Sequence, residues 1–264
     1  YTYIGWNEER PFFQDRRVRW ALSYLTDVDK IIKVVLLGFA ERTVGPVFYK
    51  KKAYNKELKP IPFDPQKAQA LLKEAGWIDR DGDGVREKII KGQKVKFEFT
   101  FLINHGNDIR KQIGLILAEE YKRYGIRAKV RELEWSVFLD NIATHKFDAT
   151  ILGWSMSILK DDPYQLWHSS QSKNKGSNHC SFKNARVDKI IETLRTNFDE
   201  TKRIALMKEF QRIIYEEQPY TFLYSAKSLL AIHKRFRNVK LYPMRPGYNL
   251  HEWWVPKSIQ KYTP

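Results

Sequence analysis

The chain has 264 residues, of which 42% are hydrophobic and 14% aromatic, enough to bury the core of one large domain or two small ones. Its net charge of +16 favours anionic partners, but the basic residues are spread along the chain, which indicates a solvated basic surface more than a nucleic-acid footprint. No stretch approaches the ~18 apolar residues that span a bilayer. The first residues lack the pattern of a signal peptide, so we expect none in this sequence, and the single cysteine, Cys180, excludes an internal disulfide framework.

The first 63 residues are predicted to contain a strand, two helices and a long arm. Residues 1–7 alternate weakly between apolar and polar, which predicts a strand. Asp15 can cap a helix, and Asp27 starts a second helical run that ends at Gly38. Residues 40–63 contain three prolines and little periodicity, so we expect a long ordered loop or arm there.

Helix and strand patterns alternate from Asp64 onwards. Asp64 and Pro65 open a helix as its cap and first residue, and Gly76 follows the last turn. Next come a strand over 95–103, a helix over 109–121, a strand over 126–133, a short helix over 137–143 and a strand over 147–154. This alternation implies parallel pairing through right-handed crossovers. It predicts a mixed α/β sheet built on parallel strands near 97–103, 127–133 and 148–154.

The last third of the chain is predicted to close the same sheet, because no linker separates it from the rest. The predicted elements are a short helix over 162–168, a loop over 169–178, helices over 185–196 and 200–217, and closing strands over 220–224 and 229–232. We therefore expect one lobe over residues 1–256 and a loose tail over residues 257–264.

Motifs that carry catalysis or hold cofactors do not occur in the sequence. There is no G-x-S-x-G turn around a nucleophile and no glycine-rich phosphate loop. His168, His179 and Cys180 match no common zinc spacing. We expect no catalytic residue, no cofactor and no metal at the ligand site.

Residues 79–84 have the acidic sequence Asp-Arg-Asp-Gly-Asp-Gly. Oxygens at the first, third and fifth positions with glycine at the sixth match the first half of a calcium-binding loop. The twelfth position, normally a bidentate glutamate, is Ile90, although Glu87 at the ninth position could ligate instead. The alternative, which we favour here, is a tight Asp/Gly turn that introduces a strand.

Aromatic and polar residues follow the third predicted parallel strand. Trp154 stands at its carboxyl end, where open α/β sheets hold ligands. Behind it come Ser155, Ser157, Asp161, Asp162 and Trp167. A tryptophan with small hydroxyls and carboxylates suits an amphipathic ligand that carries an amine. The alternative is that both tryptophans only pack in the core.

Five stretches resemble a known protein family in order and spacing. Residues 15–24 resemble the pattern D-x-x-V-R-x-A-L-x-Y, and residues 64–76 resemble D-P-x-K-A-x-x-L-L-x-E-A-G. Gly153-Trp154 with Asp162-Pro163, the loop Trp167–Ser170 with Gly176–Asn178, and Val187-Asp188 with Arg203, Gln211 and Pro219 complete the set. These stretches are similar to family 5 of the extracellular solute-binding proteins, the dipeptide-, oligopeptide- and nickel-binding group.

The resemblance implies one lobe of a periplasmic-binding-protein type II clamp, in which two lobes close on the ligand. The chain would be the C-terminal lobe, cut at a lobe crossover. In peptide-binding members an aspartate three residues after the Gly-Trp tryptophan binds the peptide ammonium, whereas this chain has Ser157 there. Asp161 or Asp162 could substitute. The residues expected to bind ligand are Trp154, Ser157, Asp161, Asp162, Trp167 and Asn178.

The function implied by the resemblance is substrate binding for an ABC importer, without catalysis. The partners would be a peptide or other small solute, the N-terminal lobe of the same protein and the importer's membrane subunits, in the periplasm or at the outer face of the cell membrane. Two alternatives come from other classes: a basic nucleic-acid-binding domain and a hydrolase that uses carboxylates. Basic residues clustered with aromatic ones would favour the first, and an acid/base pair at a shared site the second. The sequence displays neither feature.

Overall fold

A computed structural model describes residues 1–155, 161–242 and 246–261 of the chain. The chain forms two compact units, Tyr1–Ala226 and Lys227–Pro264. Sequence composition gives no sign of this division. The extent of the lobe, placed at residues 1–256 with a tail over 257–264, stays a prediction.

The elements of the described residues follow the order expected for an α/β protein. The strands are β1 (Thr2–Trp6), β2 (Ala40–Arg42), β3 (Glu87–Ile90), β4 (Gln93–Lys96), β5 (Glu98–Asn104), β6 (Arg127–Leu133), β7 (Ala149–Gly153) and β8 (Tyr220–Ala226). The helices are α1 (Arg16–Tyr24), α2 (Val28–Val34), α3 (Pro65–Glu74), α4 (Asp108–Lys122), α5 (Trp135–Ala143), α6 (Tyr164–Trp167), α7 (Ala185–Thr196) and α8 (Glu200–Glu217).

Aspartate caps start the helices where the sequence predicts them. The side chain of Asp15 accepts a hydrogen bond from the backbone N–H of Arg17 at 2.9 Å, and α1 begins one residue after it. Asp64 accepts from the N–H of Lys67 at 3.0 Å, with Pro65 as the first residue of α3. Each cap satisfies an N–H group that the helix itself leaves unpaired.

The main sheet has six strands in the order β2-β8-β1-β7-β5-β6. Strand β5 pairs in parallel with both β6 and β7, which confirms the predicted parallel core. Strand β1 runs antiparallel between β7 and β8, so the sheet is mixed, as predicted. The first strand of the chain therefore lies inside the sheet and not at its edge.

Two hydrophobic clusters cover the two faces of this sheet. Alternate residues along each strand belong to different clusters, as the two-residue period of a strand requires: Ile4 to one, Tyr3 to the other. The first cluster includes buried side chains from α1, α2, α3 and α4, and the second those from α5, α6, α7 and α8. Both clusters draw on all the central strands, so neither can form without the sheet.

The structure departs from the predicted elements in four places, the first being that α2 ends at Val34, four residues before Gly38. The predicted strand over 95–103 is divided between β4 and β5, and β4 pairs with β3 as a separate two-stranded sheet. The arm over 40–63 contains the short edge strand β2. The predicted strand over 229–232 is wrong, because these described residues pair with no strand and Leu229 and Leu230 are exposed. Among the described residues, no helix is long and apolar enough to cross a bilayer.

Truncation of a side chain in the central strand should destabilise the whole fold. Ile4 is 0% exposed, whereas Ile109 on α4 is 45% exposed. We expect Ile4→Ala to lower the free energy of unfolding by about 2–5 kcal/mol, because it removes buried methyl groups and leaves a cavity. Ile109→Ala, the matched control, should change it by less than about 0.5 kcal/mol. Urea unfolding followed by circular dichroism measures both values, and equal losses would contradict the central role of β1.

Candidate ligand-binding site

The carboxyl ends of four strands lie along one edge of the main sheet. Strands β5, β6 and β7 are mutually parallel, and β8 has the same direction because both β7 and β8 are antiparallel to β1. The start of β1 lies at the same edge, since Thr2 pairs with Gly153 and with Tyr224. We call this edge the carboxyl edge. Ligands of open α/β sheets bind at such an edge.

Trp154 follows the last residue of β7 and is held at the carboxyl edge. Its backbone N–H donates to the carbonyl of Tyr1 at 2.9 Å, and the backbone nitrogen of Tyr1 donates to the carbonyl of Trp154 at 2.9 Å. Its half-buried indole stacks on the ring of His179, with 5.9 Å between centroids and 7° between planes. His179 directly follows the predicted 169–178 loop, so the indole lies beside the residue that comes after this loop.

A cluster of aromatic rings lies beneath Trp154. Tyr3 stacks on Tyr220 with 3.8 Å between centroids, and Tyr1 packs edge-on against Phe222 at 5.3 Å. Burial raises the pKa of the Tyr1, Tyr3 and Tyr220 hydroxyls well above their ordinary value, so these phenols stay neutral. The cluster gives Trp154 a rigid floor that carries no charge.

Asp161 contributes a carboxylate next to this cluster. Its side chain is 9% exposed, and its Oδ1 accepts from Nζ of Lys51 at 2.6 Å. Asp161 is also among the groups that raise the pKa of Tyr1, after burial and Tyr220, which places its charge near the Tyr1 hydroxyl. A largely buried carboxylate thus lies beside the rings at the carboxyl edge, paired with a lysine from the 40–63 arm.

The side chain of Asp162 contacts residues of α6 and α7. Its Oδ1 accepts from the N–H of Tyr164 at 3.1 Å, and its Oδ2 lies 3.3 Å from Nε of Arg195 on α7. The guanidinium of Arg195 in turn lies over the ring of Tyr164, 4.4 Å from its centroid. Asp162 is exposed, so its contacts fit a role in starting α6 and fastening it to α7.

Trp167 and Asn178 are buried residues that support the loop behind Trp154. Trp167 is 2% exposed and packs among Phe182, Phe210 and Tyr220, so its ring offers no free surface in this lobe. Asn178 is 1% exposed; its amide nitrogen donates to the carbonyl of Phe182 at 2.8 Å and its oxygen accepts from the N–H of Phe182 at 3.1 Å. Their geometry fits positioning of the loop more than direct contact with a ligand. Ser157 lies outside the described residues.

Three residues at this site escape the sequence analysis. Lys51 belongs to the run Lys50–Lys52, which by itself indicates only a solvated loop. The spacing of His179 matches no common zinc pattern, and Tyr1 is one of three aromatic residues, with Tyr3 and Trp6, in the weakly alternating segment over 1–7. Only the fold brings them to Asp161 and Trp154, over a separation of 110 residues for Lys51 and Asp161.

The chain is similar in sequence to known proteins of one family. Residues 1–177 match the model of the bacterial extracellular solute-binding proteins, family 5. The oligopeptide-binding protein AppA of Bacillus subtilis is 38% identical over an alignment of 264 positions. The alignment covers 97% of this chain and 47% of AppA. The dipeptide-binding protein of Escherichia coli is 23% identical, covering 92% of this chain and 43% of that protein. The chain thus spans about half the length of these curated relatives.

Solved structures give the same result for the fold. Bacillus subtilis AppA in complex with a nonapeptide matches 97% of this chain and 51% of its own, with a TM-score of 0.83 and 34% identity. NikZ of Campylobacter jejuni in complex with Ni(L-His) matches 96% of this chain and 51% of its own, with a TM-score of 0.80 and 26% identity. These matches, each to about half of a solved structure, confirm the predicted fold class, one lobe of a type II binding-protein clamp.

The burial of His179 should make the fold sensitive to acid. Burial, with a contribution from the neighbouring His145, lowers the pKa of His179 from 6.5 to about 4. The unfolded chain therefore takes up a proton between pH 6.5 and 4 that the folded chain refuses, and stability falls as the pH falls through this window. We expect the stability difference between wild type and His179→Gln to shrink by about 3 kcal/mol between pH 7 and pH 4.

Urea unfolding of both proteins at several pH values measures this difference. Glu8 acts in the opposite direction, because burial raises its pKa to about 7 and the folded state holds its proton more tightly. Since Glu8 is present in both proteins, its contribution cancels in the subtraction. A difference that does not change with pH would mean that His179 is not held neutral by its surroundings.

Proposed function

This chain belongs to family 5 of the bacterial extracellular solute-binding proteins, and we propose that it is the C-terminal lobe of a protein that binds peptides or a similar small solute for an ABC importer. The solute binds between two lobes without being chemically changed. The partners are the N-terminal lobe of the same protein and the membrane subunits of the importer. The protein acts in the periplasm or anchored at the outer face of the cell membrane.

The observation that carries this proposal is the composition of the carboxyl edge. A half-buried indole, Trp154, rests on a neutral aromatic floor, and the carboxylate of Asp161, whose charge acts on Tyr1 of that floor, is paired with Lys51. Flat rings with one charged group suit an amphipathic ligand with a cationic end, such as the amino terminus of a peptide.

Apolar side chains at the same edge supply the surface for a second lobe. Trp135 begins α5, two residues after the end of β6, and is 49% exposed. Ile109, in the first turn of α4 after β5, is also exposed. Exposed apolar groups that gather at one edge mark an interaction surface more often than a solvated one. Closure of a partner lobe would cover them together with the ligand.

Asp161 is the residue that we propose for the ligand's ammonium group. The position at which peptide-binding relatives are expected to carry an aspartate is Ser157, which cannot supply a charge. Asp161 can, and its pairing with Lys51 at 2.6 Å shows that its environment accepts an ammonium group. A ligand amine would share or replace the lysine partner. Trp154 and Ser157 remain candidates for contact with the ligand and Trp167 and Asn178 for support of the loop, whereas the carboxylate of Asp162 is committed to Arg195.

The isolated chain should bind peptides only weakly. A clamp gains affinity because two faces together bury most of the ligand, whereas one lobe leaves its hydrogen bonds exposed to water, each worth about 0.5–1.5 kcal/mol. Immobilising the ligand still costs about 4 kcal/mol or more. Calorimetric titration of residues 1–264 with a peptide library should therefore give dissociation constants of about 1 mM or weaker. Micromolar binding would show that the site is complete in this chain and would overturn the half-clamp proposal.

Neutralisation of Asp161 should weaken peptide binding by the complete two-lobed protein. We expect Asp161→Asn to raise the dissociation constant at least about tenfold, ~1.4 kcal/mol, because the ligand ammonium loses its charged acceptor. The matched control is Asp162→Asn, which removes the same charge one residue away from a group committed to Arg195; it should change affinity by less than about twofold. Both variants are compared with wild type by calorimetry, after circular dichroism has confirmed folding. Equal effects of the two changes would assign the ammonium site elsewhere.

A further inference from the structure

Residues 79–87, which we call the acidic loop, lie at the opposite edge of the sheet from the ligand site. The N–H of Arg86 donates to the carbonyl of Gly125 at 2.8 Å, just before β6 begins. The N–H of Phe97, just before β5, donates to the carbonyl of Arg86 at 2.7 Å. The loop is therefore fastened to the amino ends of two parallel strands, and a site within it would be separate from the carboxyl edge.

Three carboxylates converge in this loop. Asp79, Asp81 and Glu87 each place one oxygen atom so that the three atoms lie within 4.8 Å of one another. The backbone folds around Asp79, whose two oxygens accept from the N–H groups of Gly82 at 2.9 Å and Gly84 at 3.0 Å. Both glycines have positive φ, 74° and 81°, which the tight turn requires. Like charges held this close repel one another unless a cation lies among them.

The burial of Glu87 is a second, independent observation that points to a cation in this loop. Its side chain is 0% exposed, and carboxylates are almost never fully buried unless they are paired with a cation. Its Oε1 accepts from the N–H of Arg80 at 2.7 Å, but its Oε2 is buried and has no hydrogen-bond partner among the described residues. Burying an unpaired carboxylate oxygen costs free energy, so such an oxygen calls for an explanation, and an ion coordinated by it is one.

We propose that the acidic loop binds a calcium ion through Asp79, Asp81 and Glu87. Carboxylate oxygens on a short glycine-containing loop are the ligands that Ca²⁺ prefers. In a usual calcium loop the fifth and seventh positions also supply oxygens, and here these positions are Asp83 and the backbone carbonyl of Val85. Glu87 at the ninth position takes the part that the twelfth residue plays in the usual loop.

Two lysines of β4 pair with carboxylates of the acidic loop. Nζ of Lys94 pairs with Asp81, and Nζ of Lys96 pairs with Asp83. Both lysines come from the hairpin strand that follows the loop. Their ammonium groups offset the negative charge, and Ca²⁺ competes with them for the same oxygens. Glu87 is the last residue of the acidic loop and the first residue of β3, and it exchanges backbone hydrogen bonds with Ile78 at 3.0 and 3.1 Å. An ion bound by Glu87 would therefore connect the loop to this strand.

Calorimetric titration of residues 1–264 with CaCl₂ tests the proposal directly. We expect one ion per chain with a dissociation constant of about 0.1–1 mM, the range of extracellular calcium modules, and at least about tenfold weaker binding of Mg²⁺, which demands stricter octahedral geometry. Glu87→Gln keeps the shape of the side chain and should weaken Ca²⁺ binding at least tenfold. The control is Glu132→Gln, which removes a carboxylate paired with Lys111 at 2.7 Å at the carboxyl edge and should leave binding unchanged.

A second pair of variants tests the competition with lysine and does not depend on how well Glu87→Gln folds. The double change Lys94→Met and Lys96→Met removes the competing ammonium groups and should tighten Ca²⁺ binding several-fold. Lys111→Met, outside the loop, should have no effect. The proposal is overturned if CaCl₂ gives no binding heat up to about 10 mM, ten times the weak end of the expected range. Equal affinity for Mg²⁺, or affinity that neither Glu87→Gln nor the double change alters, would overturn it as well.

Discussion

Strand β1 is the constraint on which the rest of the structure depends. Five residues near the start of the chain pair antiparallel with β7 on one side and with β8 on the other. Without β1, the parallel group β5, β6 and β7 has no connection to β8 and β2. The partners are contributed by residues 149–153 and 220–224, so the sheet closes only after most of the chain is present. Such distant pairing is expected to make folding slow.

The crowding around β1 explains the glycine in its middle. A Cβ atom at Gly5 would lie 2.9 Å from Sγ of Cys180, closer than Cβ atoms in proteins approach their neighbours, and a tight 3.1 Å from the ring of Tyr3. The segment around Cys180 is thereby drawn against the sheet, and the N–H of Glu8 donates to the carbonyl of Cys180 at 2.9 Å. His179, on which Trp154 stacks, precedes this fixed point by one residue. The glycine on the central strand thus leaves room for the segment that carries His179, on whose ring the indole stacks.

The sequence predicts the parts of this fold that depend on near neighbours. Caps such as Asp15 and Asp64, and the alternation of strands with helices, leave local patterns that the structure confirms. It does not predict strand β2 or the lack of pairing over 229–232, because pairing at an edge depends on distant partners. At the candidate site, resemblance gives the position of Trp167 and Asn178 but not their direction, and both are turned into the interior. The pair Lys51–Asp161 joins two loops and has no local signal at all.

The two edges of the sheet combine rigidity and exposure in different ways. At the carboxyl edge, Trp154 is hydrogen-bonded to Tyr1 beside the aromatic floor and Asp161 is paired with Lys51, so a ligand bound there would meet groups whose geometry is already set. Binding to preformed groups costs less ordering of side chains, and more of the interaction energy remains for affinity. At the amino edge, the acidic loop and the β3–β4 hairpin lie outside the main sheet, joined to it through Arg86. An ion in that loop would brace the amino ends of β5 and β6, whose carboxyl ends carry the exposed surface around Ile109 and Trp135. An ion that braces the amino ends of these two strands would therefore help to keep them aligned at the carboxyl edge. It would do so without contacting the ligand.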